Sequence, residues 1–225
     1  MKIFDENLSK IKNLIIKSAE NKEIFDNLCI IAVTKTFSED IVRSAIKSNF
    51  YIFGENKVQE AKIKFTKLKI DFPNIKLHML GNLQTNKVKD ALKIFDFIHT
   101  LDREKICLEI RKHQTKESLA KKFFIQVNIG NEKQKSGISK IEASDFINWC
   151  LKDLNLNIIG LMCIPPKNEN SKNYFLELKE LAIKNNLNKL SMGMSSDFLE
   201  AINCGATHIR LGEALFGKRS ENEKR

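Results

Sequence analysis

The sequence contains no run of 18 or more apolar residues, so no segment reads as a bilayer-spanning helix. No leader is expected either. Met1-Lys2-Ile3-Phe4-Asp5-Glu6 turns acidic too soon for a signal peptide, and no small-residue cleavage site follows. A cytoplasmic protein is the default expectation. Paired cysteines are also lacking: Cys29, Cys107, Cys150, Cys163 and Cys204 are odd in number, widely spaced and form no C-x-x-C pair. No histidine or acidic residue sits beside them at zinc-ligand spacing, so neither a metal nor a structural disulfide is expected. They read as buried small hydrophobes. No G-x-G-x-x-G, H-E-x-x-H or G-x-S-x-G occurs, and the four histidines (His78, His99, His113, His208) give no Ser-His-Asp order.

What remains is an ordinary folded composition, 42% hydrophobic and 29% charged over 225 residues. The net charge of +10 invites a nucleic-acid reading. The lysines, however, are spread over nearly every helical segment among Glu and Asp, and aromatics do not interleave with them as a base-stacking surface requires. A solvated basic surface is the better reading, and nucleic acid is not expected as a partner.

Short apolar runs recur, each followed by an amphipathic stretch. The strand candidates are Cys29–Lys35, Phe50–Glu55, Lys76–Leu80, Phe97–Leu101, Phe123–Asn128, Ile158–Ile164, Leu190–Met194 and Thr207–Gly212. Most are near-continuous in apolar character, as strands buried on both faces are. Ahead of them, Phe4, Leu8, Ile11 and Ile15 share one face of an N-terminal helix. Ser38 reads as a helix N-cap with Glu39 and Asp40 in the first turn, and Asp102 as another cap. Ile41, Val42, Ala45 and Ile46 form one buried stripe, and Tyr174, Leu178, Leu181 and Ala182 another. Ser195 or Ser196 caps a short helix that ends near Gly205. Eight strands alternating with helices suggest an α/β fold, a single (β/α)₈ barrel of the TIM type with an extra N-terminal helix. One domain over 1–217 is expected, with a disordered tail over 218–225.

In such a barrel, functional groups gather at the C-terminal ends of the strands, and phosphate often binds after strands 7 and 8. The polar residues falling there are Lys35, Glu55, Asn56, Asn82, Asn128, Ser195, Ser196, Arg210, Gly212 and Glu213. Lys35 closes the apolar run from Cys29 with no acidic neighbour; on its own it reads as a strand-end lysine reaching water. Beside a phosphate-binding pair of loops it reads as a nucleophilic amine. Ser191 through Asp197 offers a glycine, two hydroxyls and a helix N-terminus, the makings of an anion site. Thr207 through Glu213 adds amides near Gly212 and the charge of Arg210. Gly212-x-x-x-x-Gly217-Lys218 looks like a P-loop, but Arg219 stands at its Ser/Thr position and too few residues follow to build the helix. His78 reads as a satisfied core histidine.

Six segments together resemble one family, the pyridoxal phosphate homeostasis proteins (the YggS/PROSC family), whose fold is like the N-terminal barrel domain of alanine racemase. They are Ala32–Thr36, Phe53–Glu60, His78–Lys87, Gly160–Pro165, Ser191–Asp197 and Arg210–Gly217. The likeness runs from strand 1 to the end of the barrel. It implies pyridoxal 5′-phosphate as the cofactor, held as a Schiff base on Lys35. Ser195, Ser196 and the amides near Gly212 and Glu213 would hold its phosphate, Arg210 would face the pyridine nitrogen, and Asn56 would lie beside the ring. At Lys57 the chain departs from the family's usual aromatic or arginine. The resemblance further implies a carrier in vitamin B6 homeostasis that delivers cofactor to apo-enzymes, a monomer or weak dimer without catalytic turnover. Catalysis would need a second base, and the only tyrosines, Tyr51 and Tyr174, are not obvious candidates. The alternative is a pyridoxal phosphate-dependent amino-acid racemase or lyase whose second base comes from a partner subunit.

Overall fold

The computed structural model describes residues 2–18 and 27–217; the tail over 218–225 lies outside the described residues. A parallel sheet closes on itself. Its strands are β1 Cys29–Val33, β2 Ile52–Glu55, β3 Lys76–Met79, β4 Phe97–Leu101, β5 Lys122–Asn128, β6 Ile158–Met162, β7 Lys189–Ser191 and β8 His208–Leu211. Each pairs with its sequence neighbour; β1 pairs with β8, which completes the ring. A two-residue accessory strand, Ile138–Ser139, adds to the end of β5. All eight expected strands are present, and the barrel reading holds. Most end one to three residues short of the apolar runs that marked them, because the last residues of each run leave the ladder to form the mouth.

The helices are α1 Lys2–Ser18, α2 Glu39–Lys47, α3 Val58–Asp71, α4 Val88–Ile94, α5 Glu104–His113, α6 Ala143–Lys152, α7 Ser171–Lys184, α8 Phe198–Asn203 and α9 Glu213–Phe216. They surround the ring, and the main core lies between helices and strands. Phe53 and Phe65 meet there at 5.6 Å between centroids, and Val42, Ala45 and Ile46 of α2 are buried as their stripe requires. Helix α1 buries Phe4, Leu8, Ile11 and Ile15. Its Phe4 ring stacks on Phe216 at 5.3 Å, and Asn7 donates to the Leu215 carbonyl at 3.0 Å. So α1 braces α9, the short helix that begins where β8 ends.

Two expected caps are corrected. Helix α5 starts one residue later than Asp102 would require: Arg103 takes the cap position, and Asp102 is engaged with the Arg103 guanidinium instead. Helix α8 is capped in position by Asp197, not by Ser195 or Ser196. The Asp197 carboxylate accepts from the Met194 amide at 2.6 Å. The helix itself receives no side-chain cap bond from it. Ser38 does occupy the cap position of α2, without a side-chain bond. Gly205 follows α8 at φ +100°, with Ala206 N bonded to Ala201 O and Gly205 N to Ile202 O, a Schellman ending.

Inside the ring a second layer forms, and it is polar. The His78 ring stacks on Phe97 at 4.2 Å, the His99 ring on Phe124 at 4.2 Å, and His208 meets Phe124 edge-on at 5.0 Å. The thiols of Cys107 and Cys150 touch at 3.6 Å between α5 and α6, and every described cysteine is free. Among the described residues no group of side chains suits a metal ion, and no helix is long and apolar enough to cross a membrane.

Candidate functional site

The C-terminal mouth of the barrel opens into a cavity of about 430 Å³. Lys35, Asn56, Ser195, Ser196, Arg210, Gly212 and Glu213 all line it, so the structure brings together every residue of the expected set. Period-two alternation explains why. Val33 and Lys35 face inward while Thr34 between them faces α3, and Asn56 faces inward while Glu55 faces out.

Lys35 sits on a constrained turn. Thr36 after it has φ +67°, a region that β-branched residues rarely adopt. The turn is held by the Phe37 N to Thr34 O bond, and Glu60 Oε1 accepts from the Thr36 amide at 2.5 Å. Beneath it lies a buried network. Lys64 Nζ donates to the Thr34 carbonyl at 2.8 Å and to Glu55 Oε1 at 2.8 Å, and the Thr34 hydroxyl donates to the same oxygen at 2.7 Å. Burial raises the Glu55 pKa, and the Lys64 ammonium works against that rise. Glu55, placed at the mouth by sequence position, is therefore a support under the Lys35 turn rather than a lining group. The Lys35 amine itself has no hydrogen bond or ion pair among the described residues.

The far wall carries the hydroxyls. Ser195 and Ser196 are exposed and their hydroxyls are unpartnered among the described residues. Gly193 fixes the loop's path: its φ is +90°, and a Cβ would come within 2.6 Å of Ala201 Cβ. Gly212 is the cap residue of α9, whose first-turn amides have no intrahelical acceptor. On the other side, Gly81 lets the chain after β3 pass Asn56, since a Cβ there would lie 2.2 Å from the Asn56 carbonyl oxygen.

Arg210 forms the base of the cavity at 5% exposure. Among the described residues no carboxylate is within ion-pair distance of it. Its guanidinium donates to Ser191 Oγ at 2.9 Å and to the Cys163 carbonyl at 3.0 Å. Behind Ser191 a chain runs into the barrel: Ser191 Oγ to His99 Nδ1 at 2.8 Å, then His99 Nε2 to His78 Nδ1 at 2.9 Å. Burial pushes His78 and His99 well below the ordinary histidine range and His208 down to about 3. The rings are thus neutral, and the one charge in the chain stands at the cavity. Burial also lowers the Arg210 pKa, yet a guanidinium keeps its proton. His78 is the satisfied core histidine expected, but its connection to Arg210 through His99 and Ser191 was not read from the sequence. Nor were Phe37, Leu80, Ile164 and Met194, which line the cavity with apolar atoms.

Two further residues from the strand-end set lie next door. Asn82 donates to Ser136 Oγ at 2.8 Å and borders a second cavity. Asn128 is spent on its own loop, donating to the Glu132 carbonyl at 2.9 Å and accepting from the Glu132 amide.

A closed parallel barrel with a lone amine facing hydroxyls and helix-turn amides across its mouth defines a class, and the family comparison agrees with it: residues 5–220 match the family "Alanine racemase, N-terminal domain", to which the chain belongs. Within that class the chain is a member of the pyridoxal phosphate homeostasis protein family. It is 36% identical over 224 residues to the pyridoxal phosphate homeostasis protein of Aquifex aeolicus, covering 95% of this chain and 97% of that one. The structure of PipY from Synechococcus elongatus without PLP superposes with a TM-score of 0.83 at 30% identity, covering 96% of this chain and all (100%) of that chain. PipY with PLP bound gives 0.80 at 28% identity over 95% and 100%.

Proposed function

We propose that this protein binds pyridoxal 5′-phosphate in the mouth cavity, with Lys35 as its covalent anchor, and serves as a carrier in cofactor homeostasis rather than as an enzyme. A volume of about 430 Å³ lies in the range of small-ligand sites. The donors at the mouth suit the cofactor's two ends. Ser195, Ser196 and the first-turn amides at Gly212 and Glu213 would take the phosphate, and Lys35 the aldehyde. Asn56 would lie beside the ring. Relatives named for pyridoxal phosphate homeostasis, and PipY with PLP bound, support this choice of ligand.

The observation that carries the carrier reading is Arg210. When bound, the cofactor supplies an electron sink that depends on a protonated ring nitrogen. A fixed positive charge at the cavity base, with no carboxylate paired to it among the described residues, disfavours adding a second one there. The cavity's titratable lining is Lys35, Arg210 and Glu213. Among the described residues no histidine, tyrosine or cysteine lines it to act as a second base. Tyr174 is engaged with Glu169 on the outer surface, and Tyr51 packs against the core. The chain's own residues bind and orient. Capture of a reactive aldehyde and its delivery to apo-enzymes in the cytoplasm follow as the role.

Mixing the purified protein with pyridoxal phosphate should give a visible absorption band that survives dialysis, and Lys35→Ala should abolish it. A mutant spectrum identical to the wild type removes Lys35 as the anchor. Chiral chromatography after incubation with a panel of amino acids should show no racemisation; turnover would overturn the carrier assignment and leave the binding site standing.

A further inference from the structure

The backbone on both sides of Lys35 is tied to one helix. Lys64 Nζ donates to the Thr34 carbonyl at 2.8 Å and to Glu60 Oε1 at 3.1 Å. The same Glu60 oxygen accepts from the Thr36 amide at 2.5 Å. The Thr34 carbonyl and the Thr36 amide belong to the two peptide planes that meet at the Lys35 Cα. Each plane is rigid, and the rotations of the two about that Cα are the residue's φ and ψ. Holding both therefore fixes the direction in which the Lys35 side chain leaves the backbone.

The strap is firm at its far end. Glu60 and Lys64 stand four residues apart on α3, where side chains are neighbours, and Lys64 is 6% exposed. Its ammonium has three donors, which meet the Thr34 carbonyl, Glu60 and, at 2.8 Å, Glu55 Oε1. A buried ion pair is seldom the most stable way to fill a core, which points to geometry as its contribution. The turn also needs an outside hold. Thr36 sits at φ +67°, which a β-branched residue keeps only when its surroundings impose it. The Lys35 amine faces the cavity without a hydrogen bond or ion pair among the described residues, so its aim comes from the backbone.

We propose that Glu60 and Lys64 are positioning residues for Lys35: they pin the peptide planes on either side of it and so aim its amine into the cavity. The role rests on Lys35 being the anchor, as proposed above.

The test uses the full-length protein and two ligands. Pyridoxal phosphate reports capture of the aldehyde, followed as the rate at which the visible band grows. Its 4′-deoxy analogue keeps ring and phosphate but carries a methyl group in place of the aldehyde; calorimetric titration with it reports occupancy of the cavity. Glu60→Ala, at a side chain 25% exposed, should slow capture by about tenfold or more, as misdirecting a reacting group does, with analogue affinity held within about twofold. Glu60→Gln keeps a side-chain carbonyl for the Thr36 amide and should recover most of the rate. Thr36→Gly placed on Glu60→Ala should recover part of it, since glycine takes a positive φ without steric cost. Lys64→Met is made together with Glu55→Gln, so that no buried carboxylate loses its cation, and should slow capture likewise.

Capture at the wild-type rate in Glu60→Ala overturns the proposal. So does a loss shared equally by the analogue, or one that neither the glutamine nor the glycine relieves. Lys35→Ala separates this proposal from the function proposed above. Lost capture there, with unchanged capture in Glu60→Ala, removes the strap and leaves the anchor. Undiminished capture in Lys35→Ala removes both.

Discussion

The two ends of one short polar column behave in opposite ways. Inside the ring, His78, His99 and Ser191 are all buried and are joined to one another and to Arg210 by bonds of 2.8 to 2.9 Å. At the mouth, Lys35 and the hydroxyls of Ser195 and Ser196 are solvent-reachable and unpartnered among the described residues. Both groups hang from strands of the same barrel. A polar group with its partner supplied holds the fold, and one without is available to a ligand. Arg210 belongs to both, satisfied from below and open above. That is how a rigid scaffold can aim a charge into a cavity.

The contrast can be broken from the inside first. The three buried rings have folded pKa values below the ordinary histidine value of 6.5. The unfolded chain therefore binds more protons between those values, and stability falls as pH drops below about 6.5. At pH 5.5 each ring costs about 1.4 kcal/mol, or about 4 kcal/mol together. Urea denaturation at pH 7.5 and 5.5 checks this; a flat profile would mean that the rings protonate freely in the folded state. Next in size is His99→Leu, which strips His78 and Ser191 of their shared partner. It should cost about 2–3 kcal/mol by denaturation and loosen Arg210, so the cofactor's absorption maximum should move as well. A stability loss with an unmoved spectrum would confine His99 to packing.

The mouth should respond the other way round. Replacing Ser195 and Ser196 together by alanine should change stability by less than about 0.5 kcal/mol. Pyridoxal phosphate affinity should fall by roughly tenfold to thirtyfold for the two lost donors. If the double variant unfolds early and binds normally, these hydroxyls belong with the buried column, and the distinction between the two regions fails.

How much of this was readable in advance follows from what each feature depends on. The eight strands were legible because a strand buried on both faces must be apolar along its length, as Cys29 to Val33 shows. The mouth residues were legible because a barrel places the ends of its strands in one circle. The column was not. His99 and Ser191 are 92 positions apart and meet only because the sheet closes. Glu55 was assigned to the mouth by its position at a strand end, but one step of alternation turns it under α3, where Lys64 meets it. Ser195 or Ser196 reads as the cap of α8, but a turn closed on the Met194 carbonyl delays the helix, and Asp197 takes the cap position without a side-chain bond to it. Sequence order identified which residues converge; side-chain direction and competition among neighbours decided what each one touches.

The central claim is that one amine, Lys35, anchors the cofactor. It is tested most directly by loading the protein with pyridoxal phosphate, reducing with borohydride and mapping the peptides by mass spectrometry. The account predicts a single stable adduct on the peptide that contains Lys35. An adduct on Lys57, Lys87 or another surface lysine, with the Lys35 peptide unmodified, would contradict it.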